Sequence, residues 1–422
     1  MSIETISVIG LGYIGLPTAA ILASKNIKVI GIDLNVHVVD TINRGEIHIV
    51  EPYLEGVVRT AVQSGHLRAT TLPEPADAFL ITVPTPFKDQ HAPDLRFIEN
   101  ACASIAPVLK SGDLVILEST SPVGSTEQMA VWLAVARPDL SFPQTQGEAS
   151  DIRIAYCPER VLPGRTLHEL VENDRVIGGM TPKCSQSAVA LYKIFVQGEC
   201  VITNARTAEM CKLTENSFRD VGIAFANELS VICQRLGIDV WELIKLANRH
   251  PRVNILLPGP GVGGHCIAVD PWFIIDSAPE QARLIRAARE VNDDKSQWVI
   301  DQVNLAIGGY LQAHPEKTAS GVVVGCFGLV FKADIDDLRE SPALAITQAL
   351  GEQHIGKVMA VEPNIDILPD SLISIGTSLV STKIALAEAD IIVGLVAHHS
   401  FKEIPNTFLQ GKVVVDTCGI WR

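Results

Sequence analysis

A short β-branched run, Thr5 to Ile9, passes directly into Gly10-Leu-Gly12-Tyr-Ile-Gly15, and a second apolar run, Lys28 to Ile32, ends at Asp33. Between them, Leu16 to Ser24 is compatible with a helix. Strand, G-x-G-x-x-G, helix, strand and acid in this order are the marks of a parallel βαβ unit built around a dinucleotide. Gly10 permits the tight turn, and Gly12 lets a pyrophosphate approach the backbone and the helix N-terminus. Gly15 lets the helix pack closely. Asp33 lies 18 residues beyond Gly15. It is placed to accept hydrogen bonds from an adenosine ribose diol and to repel a 2′-phosphate, which favours NAD over NADP.

Two further buried strands, Ala78 to Val83 and Leu114 to Leu117, run into the hydroxyl-rich turns Pro84-Thr85-Pro86 and Glu118-Ser-Thr120-Ser-Pro-Val-Gly-Ser-Thr126. Open parallel sheets bind ligands at the carboxyl ends of their strands. Thr85, Thr120 and Thr126 are therefore candidate cofactor contacts, although such residues more often cap helices or form turns. Residues 141–150 read as a surface loop. Ile152 to Cys157 is another strand, leading into Pro158-Glu159-Arg160-Val161, and Arg175 to Gly179 is the last strand expected in this half.

From Thr207 to Leu236 apolar residues recur at helical spacing, with Gly237 as the C-terminal stop. Such a helix is about 45 Å long. Lys212, Asn216 and Arg219 share one face of it, a pattern that on most helices is solvated surface. A second helix is expected near Val240 to Arg249 and a third from Pro279 to Gly308. Long helices of this kind often form a dimer core. Between the second and third lies NILLPGPGVGGHCIAVDPW, residues 254–272. Gly259, Gly261, Gly263 and Gly264 precede one cysteine, Cys266, and Asp270 follows four residues later. A thiol behind a loop that lets backbone approach a ligand is a candidate nucleophile; the plainer alternative is a turn before a small buried residue.

A new strand-turn-helix begins at Gly321 to Gly325, with Lys332 and Arg339 flanking the acidic DIDD segment and a helix starting near Ser341-Pro342. Lys357 to Val361, Ile391 to Val396 and Lys412 to Val415 add strands. The full glycine fingerprint is absent here. The expected fold class is α/β: two doubly wound Rossmann-like domains, residues 1–200 and 313–422, joined by a long-helix central domain, residues 201–312.

A net charge of −14 argues against a nucleic-acid partner, so any anionic ligand must be held by local Arg and Lys. The nine cysteines are odd in number and show no C-x-x-C pair, which points to a reducing compartment without a zinc or disulfide framework. No apolar run approaches the roughly 18 residues that cross a bilayer, and MSIETISVIG reads as a first strand and not a signal peptide. No metal, no membrane partner and a cytoplasmic location are expected.

Taken together, GLGYIG, ESTSPVGST, the Lys212/Asn216 helix, GVGGHC and FKADIDDLRES resemble the UDP-glucose/GDP-mannose dehydrogenase family, end to end. The form GPGVGGHCIAVDPWF is similar to the branch acting on UDP-N-acetylhexosamines; UDP-glucose enzymes typically carry a serine before the cysteine and a proline-lysine pair after it. The resemblance implies an NAD domain, a helical linker and a UDP domain. It also implies four-electron oxidation of a sugar C6 alcohol to the carboxylate, with two NAD+ reduced and no free aldehyde. It casts Cys266 as the nucleophile and Lys212 as acid/base or oxyanion stabiliser. Asn216 and Asp270 would position sugar and water, Glu159 would be the acid of the hydrolytic step, and Thr120 would hold water. Tyr13, Ile14, Asp33, Thr85 and Thr126 would contact NAD with the glycine turn, and Arg339 would join them. Arg160, Val161, Lys212, Asn216, Arg219, His250, Arg252, Gly263, Phe331 and Lys332 would surround the UDP-N-acetylhexosamine. Arg252 would reach a neighbouring subunit, implying a homodimer. His265 would only shape the turn.

Two rivals remain at this level. A two-electron hydroxyacid-type dehydrogenase would share the NAD domain but need neither the cysteine nor a second nucleotide domain. A silent nucleotide-sugar-binding regulator would keep glycines and lose chemistry, against the joint presence of Cys266, Lys212, Asn216 and Asp270. The C2 stereochemistry of the sugar is not legible in the residues.

Overall fold

Eight strands form one sheet: β1 Thr5–Ile9, β2 Lys28–Ile32, β3 Leu67–Thr70, β4 Ala78–Ile81, β7 Leu114–Leu117, β8 Arg153–Tyr156, β9 Arg175–Gly179 and β10 Cys200–Asn204. A small hairpin, β5 Phe87–Lys88 with β6 Ala92–Pro93, lies outside it. The computed structural model describes residues 3–88, 91–161, 164–264 and 266–422, so His265 lies outside the described residues. Strand order is β10-β9-β8-β7-β4-β1-β2-β3, parallel throughout except for β8 against β9. Strand order reverses beside β1, which places the Gly10 turn at the switch point where doubly wound sheets bind ligands. Ile6 and Val8 face one apolar layer with Leu16, Ala20 and Ile42; Ile9, Phe79, Ile81 and Leu117 face the other with Ile98 and Met129. Burial on both faces explains why these strands are apolar runs without alternation.

A second sheet contains β11 Val323–Phe327, β12 Lys357–Val361, β13 Ser378–Leu379, β14 Ile391–Gly394 and β15 Val413–Asp416. Its order is β13-β12-β11-β14-β15, all parallel. Helix Arg283–Ala313 packs on it through Val299, Ile300, Val303, Ile307 and Tyr310, a stripe at helical spacing that joins Val324, Ile346 and Val393. The fold class is therefore as expected, with Rossmann-like sheets at both ends of the chain and long helices between. The chain forms two compact units, Met1–Glu215 with Trp272–Ala278 and Asn216–Pro271 with Pro279–Arg422.

Several local expectations shift. Residues 141–150 hold a short helix, Pro143–Gln146, opened by proline at its first position. The half-exposed edge strand β10 was not anticipated, because CVITN buries too little to leave a clear apolar pattern. Helix Arg283–Ala313 starts after the expected Pro279 and runs past Gly308 and Gly309, since burial of Ile307 and Tyr310 outweighs the glycine penalty. Among the described residues no helix is long and apolar enough to cross a membrane.

Candidate active site

In the first unit, Gly10 adopts φ +94°, and a Cβ there would lie 3.0 Å from the Thr82 carbonyl oxygen. A Cβ on Gly15 would fall 2.5 Å from Thr82 Oγ1, so helix Gly15–Ser24 sits too close for any side chain. Gly12 is exposed, and a Cβ there would meet nothing within 4 Å. The helix has no side-chain cap and no acid in its first turn, so no side chain of its own competes with an anion for the positive end of its dipole. The Asp33 carboxylate accepts from Leu11 N at 3.0 Å and from Asn35 N at 2.9 Å, fixing a negative charge beside the turn. An open cradle at Gly12, an uncapped helix start and an acid at the end of β2 fit the pyrophosphate and ribose of NAD. Tyr13 and Ile14 are half-buried beside them.

The Thr85 hydroxyl donates to the Thr120 carbonyl, so the two threonine turns are tied together. Thr120 is half-buried. Thr126 is fully buried; its N–H and hydroxyl both donate to Glu209 Oε1, at 2.8 and 2.6 Å, and Gly124 N donates to Glu209 Oε2 at 2.6 Å. Glu209, from helix Ala205–Leu236, thereby caps helix Ser125–Ala136, and burial raises its carboxyl above the usual range. Glu159 is buried: Arg160 N donates to its Oε1 at 2.6 Å and Arg175 to its Oε2 at 2.7 Å. The Arg160 side chain pairs with Glu215 at 2.7 Å, and Val161 beside it is half-buried. Lys212 is half-buried.

The second unit carries the cysteine loop. The Cys266 carbonyl accepts from Val269 N at 3.1 Å and from Asp270 N at 2.8 Å, so the cysteine sits in the turn that starts helix Asp270–Ser277. Cys266 is half-buried. The buried Asn216 amide donates to Asp270 Oδ2 at 2.5 Å. Gly264 adopts φ +80°, and a Cβ there would meet the Phe331 ring at 2.8 Å; one on Gly263 would meet Phe331 Cβ and Pro342 Cδ, each at 2.7 Å. Those glycines are required because the segment after β11 lies against them. Gly264 N also donates to the Arg339 carbonyl at 3.2 Å. The Arg339 guanidinium is paired with Asp337, while Lys332, Arg219, His250 and Arg252 are exposed.

A buried polar chain anchors this loop. Gly259 N donates to Asn227 Oδ1 at 2.9 Å; Asn227 donates to Asn292 at 2.9 Å, and Asn292 to Asp220 at 2.8 Å. Arg289 closes the chain on Asp220 at 2.7 Å. None of Asn227, Asn292, Asp220, Arg289, Glu209 or Arg175 was anticipated. These partners lie 16 to 85 residues away, and no local spacing signals them. The acid at the end of β12 differs from Asp33. Glu362 accepts from Leu329 N at 2.8 Å, as Asp33 does from Leu11, but it is buried and paired with buried His398 at 3.1 Å. It is closed to a ribose.

Three family models match the chain: the UDP-glucose/GDP-mannose dehydrogenase family NAD binding domain over residues 4–196, its central domain over 206–294 and its UDP binding domain over 325–422. The chain is 66% identical to a UDP-N-acetyl-D-mannosamine dehydrogenase of Yersinia pestis over 422 residues, covering 100% of both. It is 64% identical to an NDP-N-acetyl-D-galactosaminuronic acid dehydrogenase of Ralstonia nicotianae, covering 99% of this chain and 96% of that one. Among solved structures, a UDP-D-ManNAc dehydrogenase from Pyrococcus horikoshii matches with a TM-score of 0.87 at 36% identity, over 99% of this chain and 96% of the other. With the glycine turn, the acid behind it and the cysteine loop in the same chain, these matches carry one conclusion: the chain belongs to the UDP-glucose/GDP-mannose dehydrogenase family and is an NAD-dependent dehydrogenase.

Proposed function

We propose that this chain oxidises the C6 alcohol of UDP-N-acetyl-D-mannosamine to the carboxylate, consuming two NAD+ and one water per sugar and releasing two NADH and three protons. The observation that carries this is full-length identity of 65–66% to relatives named UDP-N-acetyl-D-mannosamine dehydrogenase. NAD supplies the hydride acceptor for each two-electron step.

The chain's own residues supply the rest. Lys212 takes the alcohol proton as the aldehyde forms. The Cys266 thiolate adds to the aldehyde carbon, and Lys212 or Asn216 stabilises the oxyanion. A covalent hemithioacetal is the form in which an aldehyde can give up a second hydride without escaping. Loss of that hydride leaves a thioester. Asp270 and Thr120 hold water, and Glu159 accepts its proton as it attacks. The C–S bond then breaks and returns the Cys266 thiolate. Arg160, Val161, Arg219, His250, Gly263, Phe331 and Lys332 hold the sugar nucleotide; Arg339 joins Tyr13, Ile14, Asp33, Thr85 and Thr126 around the cofactor. Functionally the chain divides into residues 1–200, 201–312 and 313–422. The product is a uronic acid donor for a cell-surface polysaccharide such as enterobacterial common antigen, made in the cytoplasm, where unpaired thiols persist.

A homodimer is part of the proposal. Phe218, Phe225 and Ile232 recur every seven residues on helix Ala205–Leu236 and are 79%, 51% and 45% exposed, an apolar stripe that a second copy would cover.

Counting NADH per sugar tests the reaction: two are expected, and one would return the chain to a two-electron dehydrogenase. The sugar is tested by kcat/KM on UDP-N-acetylmannosamine and its gluco and galacto isomers. Preference for the galacto isomer is the second reading, favoured by the 64% identity to the NDP-N-acetyl-D-galactosaminuronic acid dehydrogenase; preference for the gluco isomer is the third.

A further inference from the structure

Behind Glu159 lies a closed cluster of ionisable side chains that the steps above do not use. Arg175, the first residue of β9, is 2% exposed. It donates to Glu159 Oε2 at 2.7 Å and to the Leu170 carbonyl at 3.2 Å, and its Nε has no partner among the described residues. Its guanidinium carbon lies 5.6 Å from the centre of the Tyr192 ring. Tyr192 ends helix Pro182–Tyr192, is fully buried, and donates its hydroxyl to Glu118 Oε1 at 2.5 Å. Glu118, directly after β7, is 2% exposed, and its Oε2 has no partner among the described residues. Buried Cys157 completes the set. Glu118 is thus faced by Tyr192 from the helix, Arg175 from β9, and Cys157 and Glu159 from the segment at the end of β8.

The cluster holds two buried carboxylates and one guanidinium. Arg175 donates directly to Glu159, so an ionised Glu118 would be a second buried charge without a cation of its own, which is costly. Burial pushes the Glu118 carboxyl up to about 7; the Tyr192 hydrogen bond and Arg175 oppose this, and Glu159 adds to it. Burial also raises the Cys157 thiol and the Tyr192 phenol, so neither competes as an anion.

We propose that Arg175 and Glu118 are positioning residues for Glu159. Arg175 fixes the Glu159 carboxylate and supplies its counter-charge, and Glu118, held by Tyr192, carries the proton that leaves that counter-charge undivided. This rests on Glu159 being the group that takes the proton of the hydrolytic water. In that step the water oxygen bonds to the thioester carbon, its proton passes to Glu159, and the C–S bond breaks with the electron pair leaving on Cys266. A Glu159 that has lost Arg175, or shares it with an ionised Glu118, is a differently charged base. The dependence must therefore appear in the pH profile of hydrolysis.

The test uses the full-length enzyme with UDP-N-acetylmannosamine and NAD+, in two readouts. The first is the infrared carboxylic-acid C=O band followed from about pH 6 to about pH 8. It should be present at the acidic end, fade through neutrality and be missing in Glu118→Gln. The second is uronate formation against pH. Arg175→Met should lower it roughly 100-fold at neutral pH and move its acidic limb to higher pH, and Arg175→Lys should recover at least about tenfold of the loss. Glu118→Gln should remove the inflection near neutrality. If Arg175→Met fails to fold, Arg175→Lys and Glu118→Gln still decide. An unmoved acidic limb in the Arg175 variants, or no Glu118-dependent band, overturns the proposal. Glu159→Gln separates the two failures. If it still makes uronate, the hydrolytic role of Glu159 falls and the inference with it, whereas a stalled Glu159→Gln beside unmoved Arg175 and Glu118 profiles overturns the positioning roles alone.

Discussion

Asn216 and Asp270 stand 54 residues apart in sequence, yet the asparagine amide donates to the aspartate carboxylate at 2.5 Å in a buried setting. Asp270 also donates its N–H to the Cys266 carbonyl, so one residue ties the long helix to the cysteine turn. Asp270→Ala removes the acceptor of a buried amide. It should cost about 1–3 kcal/mol and lower kcat for uronate formation, with Asp270→Asn milder in stability than in kcat. Chemical denaturation and steady-state rates check this. An alanine variant as stable and as fast as wild type would mean the contact serves neither purpose.

Asp33 holds its charge against the glycine turn through Leu11 N and Asn35 N. A 2′-phosphate there would meet that carboxylate and lose the diol hydrogen bonds. NAD+ should therefore exceed NADP+ in kcat/KM, and Asp33→Ala should narrow the gap by about tenfold or more, the equivalent of about 1.4 kcal/mol. Equal use of both cofactors by the wild type would sink the assignment.

Much of this half was legible because its signals are local. Gly10, Gly12, Gly15 and Asp33 fall within one βαβ unit, where spacing and geometry are nearly the same thing. The cysteine loop was half legible. Its glycines announced close approach, but the neighbours that demand them, Phe331 and Pro342, come from beyond β11. The anchors were illegible. Asn227 reaching Gly259, Glu209 capping Gly124 and Thr126, and Arg175 behind Glu159 pair residues 32, 85, 83 and 16 positions apart. Asn227 and Glu209 lie on a helix whose pattern shows only which face is apolar. Polar residues buried on such a face look like errors in the pattern until their partners are placed.

Lys295 is such a residue. It is buried, its ammonium lies 3.3 Å from the centre of the Trp298 ring, and it donates to Ser230 Oγ at 2.6 Å. Burial lowers it from 10.5 to about 7, with Cys418 acting weakly the other way. The unfolded chain binds this proton more tightly than the folded one, so stability should rise with pH from about 7 to about 10.5. The shift bounds the effect at about 5 kcal/mol. Lys295→Met should be more stable than wild type near pH 6, and its advantage should shrink as pH rises. Denaturant midpoints across that range check it; a gap that does not change with pH would mean the lysine is not neutralised on folding.

Arg252 is exposed beside His250, whose Nδ1 accepts from Arg252 N at 3.3 Å. If the stripe of Phe218, Phe225 and Ile232 is covered by a second copy, Arg252 is the residue expected to serve the neighbour's substrate. Arg252→Ala and Cys266→Ala homodimers should each be inactive. After mixing and refolding, a heterodimer has one site with both residues intact and one with neither, so partial turnover should return. No recovery in confirmed heterodimers would assign Arg252 to its own subunit.

On the proposed mechanism, Cys266 decides the chemistry. Its carbonyl anchors the first turn of helix Asp270–Ser277, and the glycines before it bring the chain against Phe331, so the position itself is fixed by backbone. Hydride transfer from an alcohol needs no thiol, whereas oxidation of an aldehyde without release does. Serine at this position keeps the backbone and nearly the volume, but its alkoxide is essentially unpopulated near neutral pH. Cys266→Ser should therefore bind NAD+ and UDP-sugar normally while uronate formation falls by roughly 100-fold or more. The reaction should stall at the aldehyde or at a slowly hydrolysed ester. Wild-type enzyme quenched during turnover should carry a UDP-sugar adduct on the peptide containing Cys266, and the serine variant should lack a thioester there. Uronate production by Cys266→Ser at a rate near wild type would make the cysteine a small residue in a tight turn, and would hand the second oxidation to another group.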